Sequence, residues 1–77
     1  MKGNLGYYKK SYRRVYENFI FSVGIYRSNT VLLKRLCQES LKELDRLNRR
    51  FMEQDKVSTY YLLKPYSEVI KRFYLSL

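Results

Sequence analysis

The sequence predicts a small all-α domain of three helices, with one long central amphipathic helix and a last helix broken at Pro65. Three observations predict it. Apolar residues recur at spacings of three and four along most of the chain, the period of a helix face. The cluster Arg27-Ser28-Asn29-Thr30 supplies N-cap residues directly before the longest apolar run. Pro65 is poorly placed inside a helix and well placed at the start of one.

Residues 1–6 read as a basic, flexible lead-in, because Gly3 and Gly6 punctuate regular structure. From Tyr7 the helical spacing begins, with Tyr8, Tyr12, Val15, Tyr16, Phe19 and Val23 on one stripe, which predicts a helix near 7–26. The run 19–26 is apolar on both faces and rich in strand formers, so a short strand there is the competing reading, with Gly24 as a turn or helix stop.

The central helix is expected over 30–54. Leu33, Leu36, Cys37, Ser40, Leu44, Leu47 and Phe51 form its apolar seam, and Arg35, Lys42, Arg46 and Arg49 fall on the opposite side. Residues 55–59 look like a turn. The last helix is expected near 58–76, with a short strand at 57–63 as the alternative and a fresh helix start at Pro65. Its apolar face is Val69, Ile70, Phe73, Tyr74 and Leu77, and Lys71 and Arg72 make it basic on the other side.

Charge narrows the function. With 77 residues, 16 Lys+Arg and 7 Asp+Glu, the chain carries +9. Such a charge favours a polyanionic partner, nucleic acid first and an anionic membrane surface second. The 45% hydrophobic content is too high for a disordered basic tail. No run is long and apolar enough for a transmembrane helix, and no secretory leader is expected. A single cysteine, Cys37, suits a reducing compartment, so an intracellular location (cytoplasm or an organelle matrix) is expected.

Catalytic chemistry is poorly represented. The chain has no His and one Cys, which leaves no His-based triad and no Cys–His pair. Gly3, Gly6 and Gly24 are scattered and make no phosphate loop. No metal site and no cofactor are expected. Glu39, Glu43 and Asp45 share a helix with basic residues at ion-pair spacing: Glu39 with Arg35, Glu43 with Arg46, Asp45 with Arg49.

Nine Tyr accompany the basic residues and interleave with them in Tyr7-Tyr8-Lys9-Lys10-Ser11-Tyr12-Arg13-Arg14. Cations can neutralise phosphates while tyrosine rings stack on bases. Tyr8, Tyr12 and Tyr16 are equally well read as the wet edge of a small core. Tyr7 lies off their stripe and is the better contact candidate.

The stretch Ile20–Ser28, with Gly24 between Val23 and Ile25, resembles the turn of a helix-turn-helix and is similar to that of small phage repressors of the Cro type. The resemblance implies that Tyr26, Arg27, Ser28 and Asn29 open a recognition helix facing the major groove. Ile20 and Thr30 depart from that pattern, and the helix beyond is longer than a recognition helix. A simple turn between two bundle helices accounts for the same residues. Ser11-Tyr12-Arg13-Arg14 looks like the motif of the LYR mitochondrial assembly proteins, with Ser11 in place of Leu. Glu43-Leu44-Asp45-Arg46-Leu47 is similar to part of the signature of small sporulation aspartyl-phosphate phosphatases, with Leu41 and Lys42 replacing its Ser and Gln. Neither likeness carries functional residues over.

The function expected from these residues is non-enzymatic nucleic-acid binding, as a DNA-binding regulator or a ribonucleoprotein component. Lys9, Lys10, Arg13, Arg14, Arg27, Arg35, Arg46 and Arg49 are the phosphate contacts, and Tyr7 and Tyr26 the stacking or base-edge contacts. The rival is a protein-protein module that uses Leu33, Leu36, Leu44, Leu47 and Phe51 to bind a partner or a second copy.

Overall fold

A computed structural model describes residues 4–53 and 56–77. Three helices run in sequence: α1 (Asn4–Tyr26), α2 (Thr30–Met52) and α3 (Lys56–Ser76). Each packs on the other two. At 23 residues, α1 and α2 are each about 34 Å long. The whole measures 43 × 18 × 16 Å, so the helices lie side by side as an elongated bundle.

Specific contacts fix the directions. Tyr8 stacks on Phe51, with ring centroids 4.2 Å apart, and the Tyr12 hydroxyl donates to Asn48 Oδ1 at 3.3 Å, so α1 and α2 are antiparallel. Gln38 Nε2 donates to the Tyr74 hydroxyl at 3.3 Å, which sets α3 antiparallel to α2. Tyr16 meets Tyr66 and Phe19 meets Phe73, which sets α3 parallel to α1.

The core is Tyr8, Tyr12 and Phe19 from α1, Cys37, Leu44 and Phe51 from α2, and Ile70 from α3. Burial of a side chain such as Phe19, Leu44 or Ile70 contributes about 1.5–3 kcal/mol. Val15, Tyr16, Val23, Leu36, Leu47, Leu63, Tyr66 and Phe73 pack around it half-buried. Tyr8 and Tyr12 are therefore core residues, not a wet edge. The Leu seam is spent inside the chain: Leu33, Leu44 and Phe51 are buried, and Leu36 and Leu47 half-buried.

The α1–α2 connection is short. Asn29 N–H donates to the Tyr26 carbonyl at 2.8 Å, and the Asn29 side chain caps α2 by accepting from Leu32 N–H at 3.1 Å. Arg49 and Arg50 stand in the last turn of α2, where they complement its dipole.

Four expectations are corrected. Helix begins at Asn4, so residues 4–6 are not a lead-in; Tyr8, buried one turn later against Phe51, holds the first turns in place despite Gly6. Residues 1–3 lie outside the described residues. No strand forms at 19–26 or 57–63; both stretches are helical, and the exposed side of 19–26 faces outward without a strand partner. The turn expected at 55–59 is replaced from Lys56 on by helix, while Gln54 and Asp55 lie outside the described residues. The last helix is not broken at Pro65: α3 runs through it. A proline there removes a backbone N–H and crowds the carbonyl of Tyr61. Both residues are exposed, so water can satisfy that carbonyl, and Leu62, Leu63, Tyr66 and Ile70 anchor the helix on either side.

Candidate nucleic-acid interface

The antiparallel pairing of α1 and α2 decides which cations meet. Lys9, Lys10, Arg13 and Arg14 lie in the first half of α1, and Arg46, Arg49 and Arg50 in the last turns of α2. The Tyr8–Phe51 and Tyr12–Asn48 contacts bring those two segments to one end of the bundle. All seven side chains are exposed.

Three of them are engaged. Arg13 pairs with Glu17 at 3.2 Å, Arg46 with Glu43 at 2.9 Å and Arg49 with Asp45 at 3.0 Å. These pairs are solvent-exposed and hold their partners weakly, within about 1 kcal/mol. Lys9, Lys10, Arg14 and Arg50 have no ion-pair partner among the described residues. The Arg35–Glu39 pair expected from spacing does not form, and the other two pairs expected on α2 do.

A groove of about 410 Å³ runs between α1 and α2 at this end, lined by Tyr7, Lys10, Ser11, Arg14, Val15, Glu43 and Leu47. Its floor is apolar and its rim carries two unpaired cations. Tyr7 is 59% exposed, yet its ring edge leans on Phe51 with centroids 5.7 Å apart, so it is presented in a held orientation. Arg50 was missed as a candidate; its place in the last turn of α2, at the same end of the bundle as the start of α1, depends on the antiparallel register that spacing alone does not reveal.

The remaining candidates lie elsewhere. Tyr26 and Arg27 stand at the α1–α2 connection, at the other end of the bundle. Arg35 is separated from Arg49 by about 20 Å along α2. All three are exposed. The helix-turn-helix reading is corrected by geometry. Val23, Gly24 and Ile25 are inside α1, and α1 and α2 run back along each other, whereas the motif needs a turn at Gly24 and helices crossing at a steep angle. Asn29 is occupied as the N-cap of α2.

Two titratable groups in the core have shifted ionisation, Tyr12 at the basic end and Cys37 further along α2. Burial and the neighbouring Tyr8 push the Tyr12 hydroxyl up to about 12. Burial also raises the Cys37 thiol, outweighing a backbone hydrogen bond, which suits an inert core thiol. Among the described residues no acidic or thiol group gathers that could hold a metal ion. No helix among them is long and apolar enough to cross a membrane. No family model, curated protein or solved structure matches this chain.

Proposed function

We propose that the protein is a non-enzymatic nucleic-acid-binding module that uses the basic end of its bundle. The observation that carries this reading is the gathering of Lys9, Lys10, Arg13 and Arg14 of α1 and Arg46, Arg49 and Arg50 of α2 at one end of the bundle, where Lys10 and Arg14 line the Tyr7 groove. Phosphates would be met first by Lys9, Lys10, Arg14 and Arg50. The exposed pairs of Arg13, Arg46 and Arg49 are weak enough to open when a phosphate arrives. Tyr7 offers a ring to an unstacked base beside those cations. Tyr26, Arg27 and Arg35 lie too far away to share the same short segment of nucleic acid. The Leu-seam rival gains no support from the fold, because that seam covers the chain's own core.

The test is fluorescence anisotropy with labelled single- and double-stranded DNA and RNA at rising salt. About five phosphate contacts weaken duplex binding some 10²- to 10³-fold between 50 and 200 mM salt. Lys10→Glu with Arg14→Glu, both at exposed positions, is expected to remove most of the affinity and flatten the salt slope. Unchanged affinity in that double variant, with helix content intact by circular dichroism, rejects the reading.

A further inference from the structure

α1 changes character halfway along its length. Glu17 is the only acidic side chain ahead of Glu39, and it is taken up by Arg13 at 3.2 Å. The first half of α1 is otherwise basic. The second half, from Asn18 to Tyr26, contains no Asp, Glu, Lys or Arg at all. Only part of that apolar half faces the core: Phe19 is buried and Val23 half-buried. Ile20 and Tyr26 remain exposed, Phe21 is 72% exposed and Ile25 58%. Single exposed apolar residues are ordinary. Several large ones on one half-helix, next to unpaired cations, mark an interaction surface.

Arg14, Phe21 and Ile25 follow one another at seven and four residues and so lie along one side of α1, with Lys10 four residues before Arg14. Exposed Arg27 closes the far end. The geometry points to this side of α1 as a docking surface for an anionic phospholipid bilayer. Phe21 and Ile25 enter the boundary between headgroups and acyl chains, while exposed Ile20 and Tyr26 lie about a quarter-turn or more around the helix to either side. Lys10, Arg14 and Arg27 meet lipid phosphates.

Charge selects this occupant. Lys10 and Arg14 outnumber Glu17 along this side, so it presents net positive charge and apolar groups together, the combination that binds an anionic lipid plane. The shape agrees, since the side of a helix is convex and presses into a deformable, extended surface. α1 is too polar to cross a membrane and lies on it. This surface goes beyond the nucleic-acid reading and shares only Lys10 and Arg14 with it.

The chain has no Trp, so Phe21→Trp gives a single reporter. Its emission is expected to move to shorter wavelength with vesicles of phosphatidylglycerol and phosphatidylcholine, and to be quenched by brominated acyl chains. Vesicles of phosphatidylcholine alone should leave it unchanged. Tyr60→Trp, exposed near the start of α3, should report no insertion. Phe21→Ser with Ile25→Ser should lower vesicle co-sedimentation at least about tenfold and leave nucleic-acid anisotropy unaltered. Lys10→Glu with Arg14→Glu should lower both. The proposal is overturned if anionic vesicles leave the Phe21→Trp emission unmoved, or if the Phe21→Ser, Ile25→Ser variant binds vesicles as well as the native chain. It is overturned equally if the emission shifts with protein concentration alone, which assigns the side to a second copy.

Discussion

The Tyr8 ring stacks on Phe51 with centroids 4.2 Å and planes 29° apart, joining the second turn of α1 to the last turn of α2. Tyr7 and Tyr12 add edge contacts to the same phenyl ring at 5.7 and 5.6 Å. One side chain of α2 thus organises three tyrosines of α1, and the basic end of the bundle is built on that contact. Phe51→Ala is expected to cost about 3–5 kcal/mol by leaving a cavity among these rings. Urea denaturation followed by circular dichroism measures it. A loss under about 1 kcal/mol would mean that the cluster does not hold the two helices together.

Gly24 lies within α1, exposed, with no positive φ, and a Cβ added there meets nothing within 4 Å. Glycine in a helix interior is less favourable than alanine by roughly 0.5–1 kcal/mol. Gly24→Ala should therefore raise the thermal midpoint by a few degrees. A fall would show that the backbone at Gly24 is not helical in solution, and would revive the turn that the sequence led us to expect there.

Pro65 is the mirror case in α3. Proline in a helix interior costs about 3 kcal/mol, and here its ring and the Tyr61 carbonyl sit on the exposed side. Pro65→Ala restores a donor to that carbonyl without disturbing the core. It should stabilise the bundle by about 1–3 kcal/mol, read as a higher urea midpoint with an unchanged slope.

The helices were legible because apolar spacing and the Ser28–Thr30 cap region act within one segment. The central helix lies within two residues of its expected end, and α1 stops at the expected Tyr26. The role of the tyrosines was not legible. Tyr8 and Tyr12 share a stripe with Tyr16, and periodicity cannot say that the Phe51 ring, at the far end of the next helix in sequence, covers the first two. The same limit explains the candidate site. Lys10 and Arg14 are visible as cations in any reading, but their sharing one end of the bundle with Arg50 follows from the Tyr8–Phe51 register. The charge-free run at 19–26 looked like a strand because its apolar side chains point both ways. In the folded chain one side meets α2 and α3 and the other, with Phe21 and Ile25, meets solvent.

Cys37 is fully buried, and burial raises its thiol above the usual value. Thiolate is the reactive form. At neutral pH the native chain should react with a thiol-specific disulfide reagent far more slowly than the urea-unfolded chain. Fast reaction in the native state would indicate that α2 separates readily from its neighbours.

Tyr12 makes the fold sensitive to alkali. Its hydroxyl donates to Asn48 Oδ1 at 3.3 Å, and burial, with a smaller contribution from Tyr8, holds it protonated up to about pH 12. In the unfolded chain it ionises near the ordinary value of 10.0. Above pH 10 the unfolded state therefore loses a proton that the folded state keeps, and stability falls with rising pH. The contribution is fully present below pH 10 and is lost through pH 12, a change on the order of 2–3 kcal/mol. Tyr12→Phe removes this dependence. It gives up one hydrogen bond, about 0.5–1.5 kcal/mol at neutral pH, and leaves nothing at that position to ionise. Urea midpoints of the native chain and of Tyr12→Phe, compared at pH 7 and pH 11, should converge or cross as the pH rises. A constant gap between them would place the Tyr12 hydroxyl in contact with solvent and contradict its burial beneath α2.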